Sequence, residues 1–295
     1  MYQIQFYNLK DNPRNLLENV HLDRRISVLE MLTEDERQLV EQSWKHRLSY
    51  NSGFEDNELG SLWGTHDGKI VFFPTRFKVY DAITKHLPRK KGKIIPYSEE
   101  VLEQLRASAV GCALETSDGF IVVQRRGTQV IASNKLDSSA SGMVTTNGRT
   151  LDFKSHILNK LEQELGVGKT DLEYLAPTGI HRATDYGTAQ FTFAGKTSKT
   201  LDQIQEDRDP RCTGEDTKRI AAIYGIKLEH LPSFIIDHAT TDLIGDGVAT
   251  LLKSIGNLDI RDGIEDVLES KGLDFRLGYL FRGEFYEEFS VEPED

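Results

Sequence analysis

Apolar residues recur along this chain with two periods, near two and near 3.6, and the alternation between them predicts its elements. Tyr2, Ile4 and Phe6 alternate with polar residues and predict an opening strand. Thr33 followed by Glu36 is a capping-box pattern ahead of ERQLVEQSWKHRL, a helix that would bury Leu39, Trp44 and Leu48. The turn-rich NSGFEDNELGSLWGTHDG then leads into KIVFFPTRFKVYDA, whose apolar and β-branched content reads as one or two strands. Pro74 should interrupt that pairing or lie at an edge.

Past a dense basic run from Lys85 to Lys93, read as a solvated linker or a phosphate-contacting loop, the pattern sharpens. SAVGCALETSDGFIVVQRR predicts a strand over Ala109 to Leu114, a turn at Ser117-Asp118-Gly119 and a second strand over Phe120 to Gln124. The small-residue stretch LDSSASGMV, with Gly142, precedes LDFKSHILNKLEQELGV. That segment is an amphipathic helix with Phe153, Ile157, Leu158, Leu161 and Leu165 on its apolar face and Gly166 as its stop. Strands follow over Tyr174 to Ile180 and Gln190 to Ala194, then a long polar loop from Lys196 to Glu215 and an apolar run from Ile220 to Ile226. A last helix spans roughly Thr240 to Ile255, and GEFYEEFSVEPED reads as a frayed acidic tail.

This order predicts an α+β fold, an α/β/α sandwich on a mixed sheet. Three segments are expected: a small N-terminal α+β extension over 1–95, a main domain over 96–260, and a C-terminal extension over 261–295. The composition, 38% apolar and 28% charged, suffices for a core and excludes disorder on composition. A net charge of −11 argues against a dedicated nucleic-acid binder, which needs a basic footprint. Cys112 and Cys212 cannot make a disulfide framework or a cysteine-only zinc site and are read as free thiols in a reducing compartment. No apolar stretch approaches a membrane span and MYQIQFYNLKDNPRN lacks the form of a signal peptide, so the expectation is a cytoplasmic protein. No nucleophile elbow, Walker A loop, H-E-x-x-H or G-x-G-x-x-G pattern occurs.

Gly142, followed by a helix ending LEQELGV and preceded by the SDGFIVVQRR hairpin, resembles the Nudix superfamily, whose box reads G-x5-E-x7-R-E-U-x-E-E-x-G-U with U aliphatic. Aligned on Gly166-Val167, the box places Asn159 at its arginine, Lys160 at its first glutamate, Leu161 at its aliphatic position, and Gln163 and Glu164 at its paired acids. HLDRRIS, SWKHRL, FFPTRFKVYDA and LRASAVGCALETSDGFIVVQRRGTQVIASNKLD, in that order, look like the branch that hydrolyses UDP-glucose and UDP-galactose. The resemblance implies a small-molecule nucleotide ligand, release of nucleoside monophosphate, and Mg2+ as cofactor, since diphosphate cleavage uses cations to neutralise the bridging oxygens and activate water.

In this sequence a lysine replaces one of the acids that would converge on the metal. One reading makes Lys160 and Glu164 an i, i+4 ion pair on a solvated face. In the other, Lys160 supplies a fixed charge to phosphate while Glu164 and His156 handle a proton or orient water. Because the box acids are mostly replaced, an inactive or non-hydrolytic nucleotide binder of the same fold is the alternative function. The resemblance further implies Arg24 (with Asp23), Arg76, Lys78, Arg125 and Arg126 along the nucleotide cleft, each read alternatively as a surface ion pair. Tyr186 could stack on a base, and Glu164 with Glu215, beside Asp216, are the candidate metal ligands; a polar hairpin and a solvated acidic turn are the plainer readings of the last two loops.

Overall fold

The computed structural model describes residues 17, 20–50, 52–66, 69–84, 96–98, 101–102, 105–127, 134–183, 188–207, 220–273 and 279–282. The expected first strand, the basic run, Tyr186, Cys212, Glu215, Asp216 and the acidic tail lie outside these residues.

The N-terminal part contains β1 (Val20–Leu22), α1 (Val28–Met31), α2 (Glu34–Tyr50), β2 (Glu58–His66), β3 (Lys69–Arg76) and α3 (Phe77–Thr84). Thr33 and Glu36 make the expected capping box: the Thr33 hydroxyl accepts from Glu36 N at 3.3 Å and Glu36 Oε2 accepts from Thr33 N at 2.8 Å. Pro74 pairs with Gly60 of β2, beyond the reach of β1, which joins β3 only at residues 70–72. Its missing N–H therefore interrupts no described ladder. FKVYDAIT is a helix where strand was expected, because Phe77, Tyr80 and Ile83, spaced by three, all turn inward. Arg47 of α2 pairs with the buried Asp81 of α3, and Val28, Val40, Leu59, Val79 and Leu105 close a core of their own.

The central strands are β4 (Ala107–Glu115), β5 (Phe120–Arg126), β6 (Leu136–Asp137), β7 (Ala140–Met143), β8 (Leu172–Ala183), β9 (Thr188–Thr197) and β10 (Ile220–Lys227), with β11 (Tyr279–Arg282) at the end of the chain. With β1–β3 they form one mixed sheet in which β1–β3 and β4–β9 pair in parallel and the other pairs are antiparallel. One edge of β4 faces β9 throughout; the other is divided among β2 at Ala107, β7 over Ala109 to Cys112, and β5 at Glu115. Gly119 takes φ +82° in the tight β4–β5 turn, a conformation that favours glycine.

Helices cover both faces. Val110, Cys112 and Leu114 of β4 pack toward α4 (Phe153–Leu165) through Ile157, Leu161 and Leu165. The alternate residue Ala113, with Ile121 and Val123 of β5, packs toward α6 (Leu231–His238), α7 (Gly245–Ser254) and α8 (Leu258–Ser270). Period-two alternation on buried strands thus produces the α/β/α sandwich.

Three expectations need correction. The polar stretch after Lys196 contains α5 (Leu201–Asp207), started by a second capping box between Thr200 and Gln203. The helix expected over Thr240 to Ile255 begins at Gly245, and α6 precedes it, with Pro232 in its first turn and Leu231 and Ile235 buried one turn apart. A further helix, α8, begins at the Asn257 cap and buries Ile264 and Leu268. Among the described residues no helix is long and apolar enough to cross a membrane.

Candidate functional site

The segment from Leu136 to Met143 is fixed from both sides. β6 pairs with β5, placing Asp137 opposite Gln124, and β7 pairs with β4, placing Gly142 opposite Val110. Between them the buried Ser139 hydroxyl donates to Val122 O at 2.5 Å and accepts from Leu114 N at 2.7 Å. These serines satisfy backbone groups where two strands diverge, which explains a small-residue run without invoking a nucleophile.

Helix α4 lies over this segment. Asp152 caps it, accepting from Ser155 N at 2.9 Å, and Gly166 ends it with φ 65°. Its inward face is Phe153, Ile157, Leu161, Leu165 and also Glu164, whereas Leu158 is only half-buried. Glu164 Oε2 accepts from Gln124 Nε2 at 2.9 Å and Ser141 N at 3.3 Å, and Lys160 Nζ is 3.5 Å from Oε1. Burial pushes the Glu164 carboxyl above its usual range, and Asp137 adds to the effect, while Lys160, Gln124 and Ser141 oppose it.

Gly142 is the point of closest approach between loop and helix. A Cβ there would stand 2.7 Å from Lys160 Cε and 3.3 Å from its Cδ, so the lysine stem runs directly across the glycine. One turn earlier on α4, His156 Nε2 accepts from Thr145 N at 3.3 Å. Burial and the Lys160 charge lower the His156 value, favouring the neutral imidazole.

On the other side of Ser141, Arg126 Nη1 meets Asp137 Oδ2 at 2.5 Å and lies 3.5 Å from Ser141 Oγ, which itself donates to Asp137 Oδ2 at 2.7 Å. Gln124 and Arg126 share one face of β5 by parity; Arg125 takes the opposite face. Its guanidinium donates to Asn134 O, Tyr224 Oη and Asp242 Oδ2.

The three N-terminal cations bind carboxylates of their own segment. Arg24 pairs with Glu58 Oε1 at 2.5 Å, and Arg76 and Lys78 share Asp56, Lys78 also reaching Glu41. Glu58 links this group to the site's rim, because it also accepts from Thr146 Oγ1 at 2.6 Å, next to the Thr145 that contacts His156. Asp23 is held by Arg25 rather than Arg24, and the Arg25 hydrogen bonds bring its carboxyl down to about 2.

The structure therefore groups Glu164, Lys160, His156 and Arg126, brings Arg24 to the rim through Glu58, and leaves Arg125 on the opposite side of β5. Sequence reasoning missed Gln124, Asp137 and Ser141. The available signal was parity: Gln124 is a polar residue in an apolar strand, two positions before Arg126, and Asp137 is a lone acid among small residues.

The divalent cation implied by the resemblance does not fit these residues. Among the described residues no three His, Cys, Asp or Glu side chains are grouped to hold a metal ion. Glu164 is turned inward onto an amide, a backbone N–H and an ammonium, and Lys160 adds positive charge where a cation would need negative charge.

No family model matches the chain, and no curated protein matches it. Among solved structures, a Deinococcus radiodurans protein aligns at 16% identity and a TM-score of 0.41, over 67% of this chain and 99% of its own. The MutT protein of Methanosarcina mazei Go1 aligns at 12% identity and 0.33, over 56% and 95% respectively. The NUDIX domain of Shewanella oneidensis NrtR, complexed with ADP ribose, aligns at 10% identity and 0.33, over 54% and 92%.

Proposed function

We propose that this chain is a Nudix-like hydrolase of a nucleoside diphosphate linked to another group, a nucleotide sugar such as UDP-glucose being the expected substrate and nucleoside monophosphate a product. The observation that carries the reading is the packing of Lys160 across Gly142: a helix cation at the position of the glutamate that follows the resembling box's arginine meets a loop glycine three residues upstream of the box's glycine position. Lys160 then supplies the charge that a metal would otherwise bring to the diphosphate. His156, favoured as a neutral imidazole one turn away, is the group of the same face that would orient water or handle a proton once its Nε2 is released from Thr145 N. Arg24, paired with Glu58, and Arg76, whose charge also acts on Glu58, are the cations of the N-terminal segment, residues 1–95, that would reach the sugar or the base.

A second reading, nucleotide binding without turnover, has its own support. Glu164 already accepts two hydrogen bonds and is buried, so it is poorly placed to activate water. Incubation with UDP-glucose in EDTA separates the two, with uridine monophosphate release as the readout. Release in EDTA supports the hydrolase with Lys160 in the charge role. Release only with Mg2+ removes Lys160 from that role, binding without release selects the second reading, and absence of binding sinks both.

A further inference from the structure

Ser141 and Gly142 lie between two cations supplied by different elements. Arg126, from β5, approaches Ser141 Oγ at 3.5 Å; Lys160, from α4, passes over Gly142. Each cation is tied to a carboxylate, Arg126 to Asp137 at 2.5 Å and Lys160 to Glu164 at 3.5 Å. Ser141 in turn holds both acids, donating its hydroxyl to Asp137 and its backbone N–H to Glu164.

The layering has a direction. The side chains of Asp137 and Glu164 are 0% and 8% exposed, against 22% for Arg126 and 15% for Lys160. Each cation is thus more exposed than the carboxylate it pairs with.

We propose that Arg126 and Lys160 form a metal-independent diphosphate subsite over Ser141-Gly142, and that Asp137 and Glu164 are positioning residues that aim the two cations. A guanidinium offers parallel donors and a planar fork to a phosphoryl oxygen pair; an ammonium offers a compact charge to the neighbouring group. Both cations are oriented before a ligand arrives, so less side-chain entropy is lost on binding. The subsite deepens the proposed reading of the function, on which its physiological ligand class rests.

The experiment is calorimetry of inorganic pyrophosphate with the full chain, in EDTA and in Mg2+, alongside the thermal midpoint of every variant. Expected results are binding that survives EDTA, a loss of at least about tenfold in affinity in Lys160→Met, and retention in Lys160→Arg. Lys160→Met should also flatten the dependence of affinity on salt, which a merely structural role would not change. Asp137→Asn should weaken binding several-fold even though it raises the local positive charge, because both cations remain but Arg126 is no longer aimed. If Asp137→Asn fails to fold, the Lys160 pair carries the test. Wild-type binding that requires Mg2+, or Lys160→Met binding as tightly as the wild type, overturns the proposal. Chelator-resistant pyrophosphate binding without monophosphate release from UDP-glucose would leave the subsite standing and remove the hydrolase.

Discussion

Lys160 and Gly142 fit together because one lacks a side chain where the other lays its stem: a Cβ on residue 142 would stand 2.7 Å from Lys160 Cε. Gly142→Ala should therefore displace the lysine rather than the backbone. Since the colliding group is the end of a flexible chain, the stability cost should be about 1 kcal/mol, the low end of overpacking. Pyrophosphate affinity should fall by more than that cost accounts for. Urea unfolding and calorimetry on the same variant check this, and an unchanged affinity would show that Gly142 does not place Lys160.

Glu164 and Glu58 should give opposite pH signatures. Burial raises the Glu164 value above its ordinary 4.5, so its contribution to stability is fully present below that pH and is lost as pH rises through the folded value. At Glu58 burial acts in the same upward direction, but the hydrogen bonds from Thr146 and Arg24 outweigh it and the value falls below 4.5. Its contribution is present above the ordinary value and lost as pH falls through the folded one. Stability measured from pH 3 to 8, relative to wild type, should thus improve toward neutral pH in Glu164→Gln and worsen there in Glu58→Gln. Parallel profiles for the two variants would contradict this assignment.

Asp152 starts the helix that carries His156, Lys160 and Glu164, and its two carboxylate oxygens accept from Ser155 N at 2.9 Å and Ser155 Oγ at 2.7 Å. Asp152→Ala should cost about 1 kcal/mol in denaturant unfolding, as loss of an N-cap does. Asp152→Ser should recover most of it. Equal losses in both variants would locate the effect outside the cap.

Cys112 is fully buried between Val110 and Leu114, and burial pushes its thiol far above the ordinary value. Iodoacetamide should leave Cys112 unmodified in the folded protein and alkylate it in urea, with peptide mapping to separate it from Cys212. Rapid native-state labelling of Cys112 would contradict the described β4 packing.

The parts of the fold that were legible in the sequence are those written in local chemistry. The Thr33–Glu36 box, the turn at Gly119 and the Gly166 stop each depend on residues within one turn of each other. Phe77 to Thr84 misled because a short segment with five apolar residues in eight fits a strand or a helix, and only its packing, with Tyr80 and Ile83 in one core with Val28 and Val40, decides between them. α5 was legible through Thr200 and Gln203 but overlooked, since its only buried apolar residue is Ile204. At the site, helical spacing brought Lys160 and Glu164 together in advance. Asp137 and Gln124 emerged only once β6 was paired to β5, because their juxtaposition is a matter of strand register and not of sequence distance.

The three-way division of one edge of β4 makes that strand a ruler. Ala107 carries Ser61 of the N-terminal segment and Val110 carries Gly142, three residues along. At about 3.3 Å per residue, the two attachments sit about 10 Å apart along the strand. A residue inserted between them would lengthen that gap by one step and turn one of the two partners to the opposite face. The spacing between the N-terminal arginines and Lys160 is thus set by covalent chain length, which makes it independent of any loop that joins them.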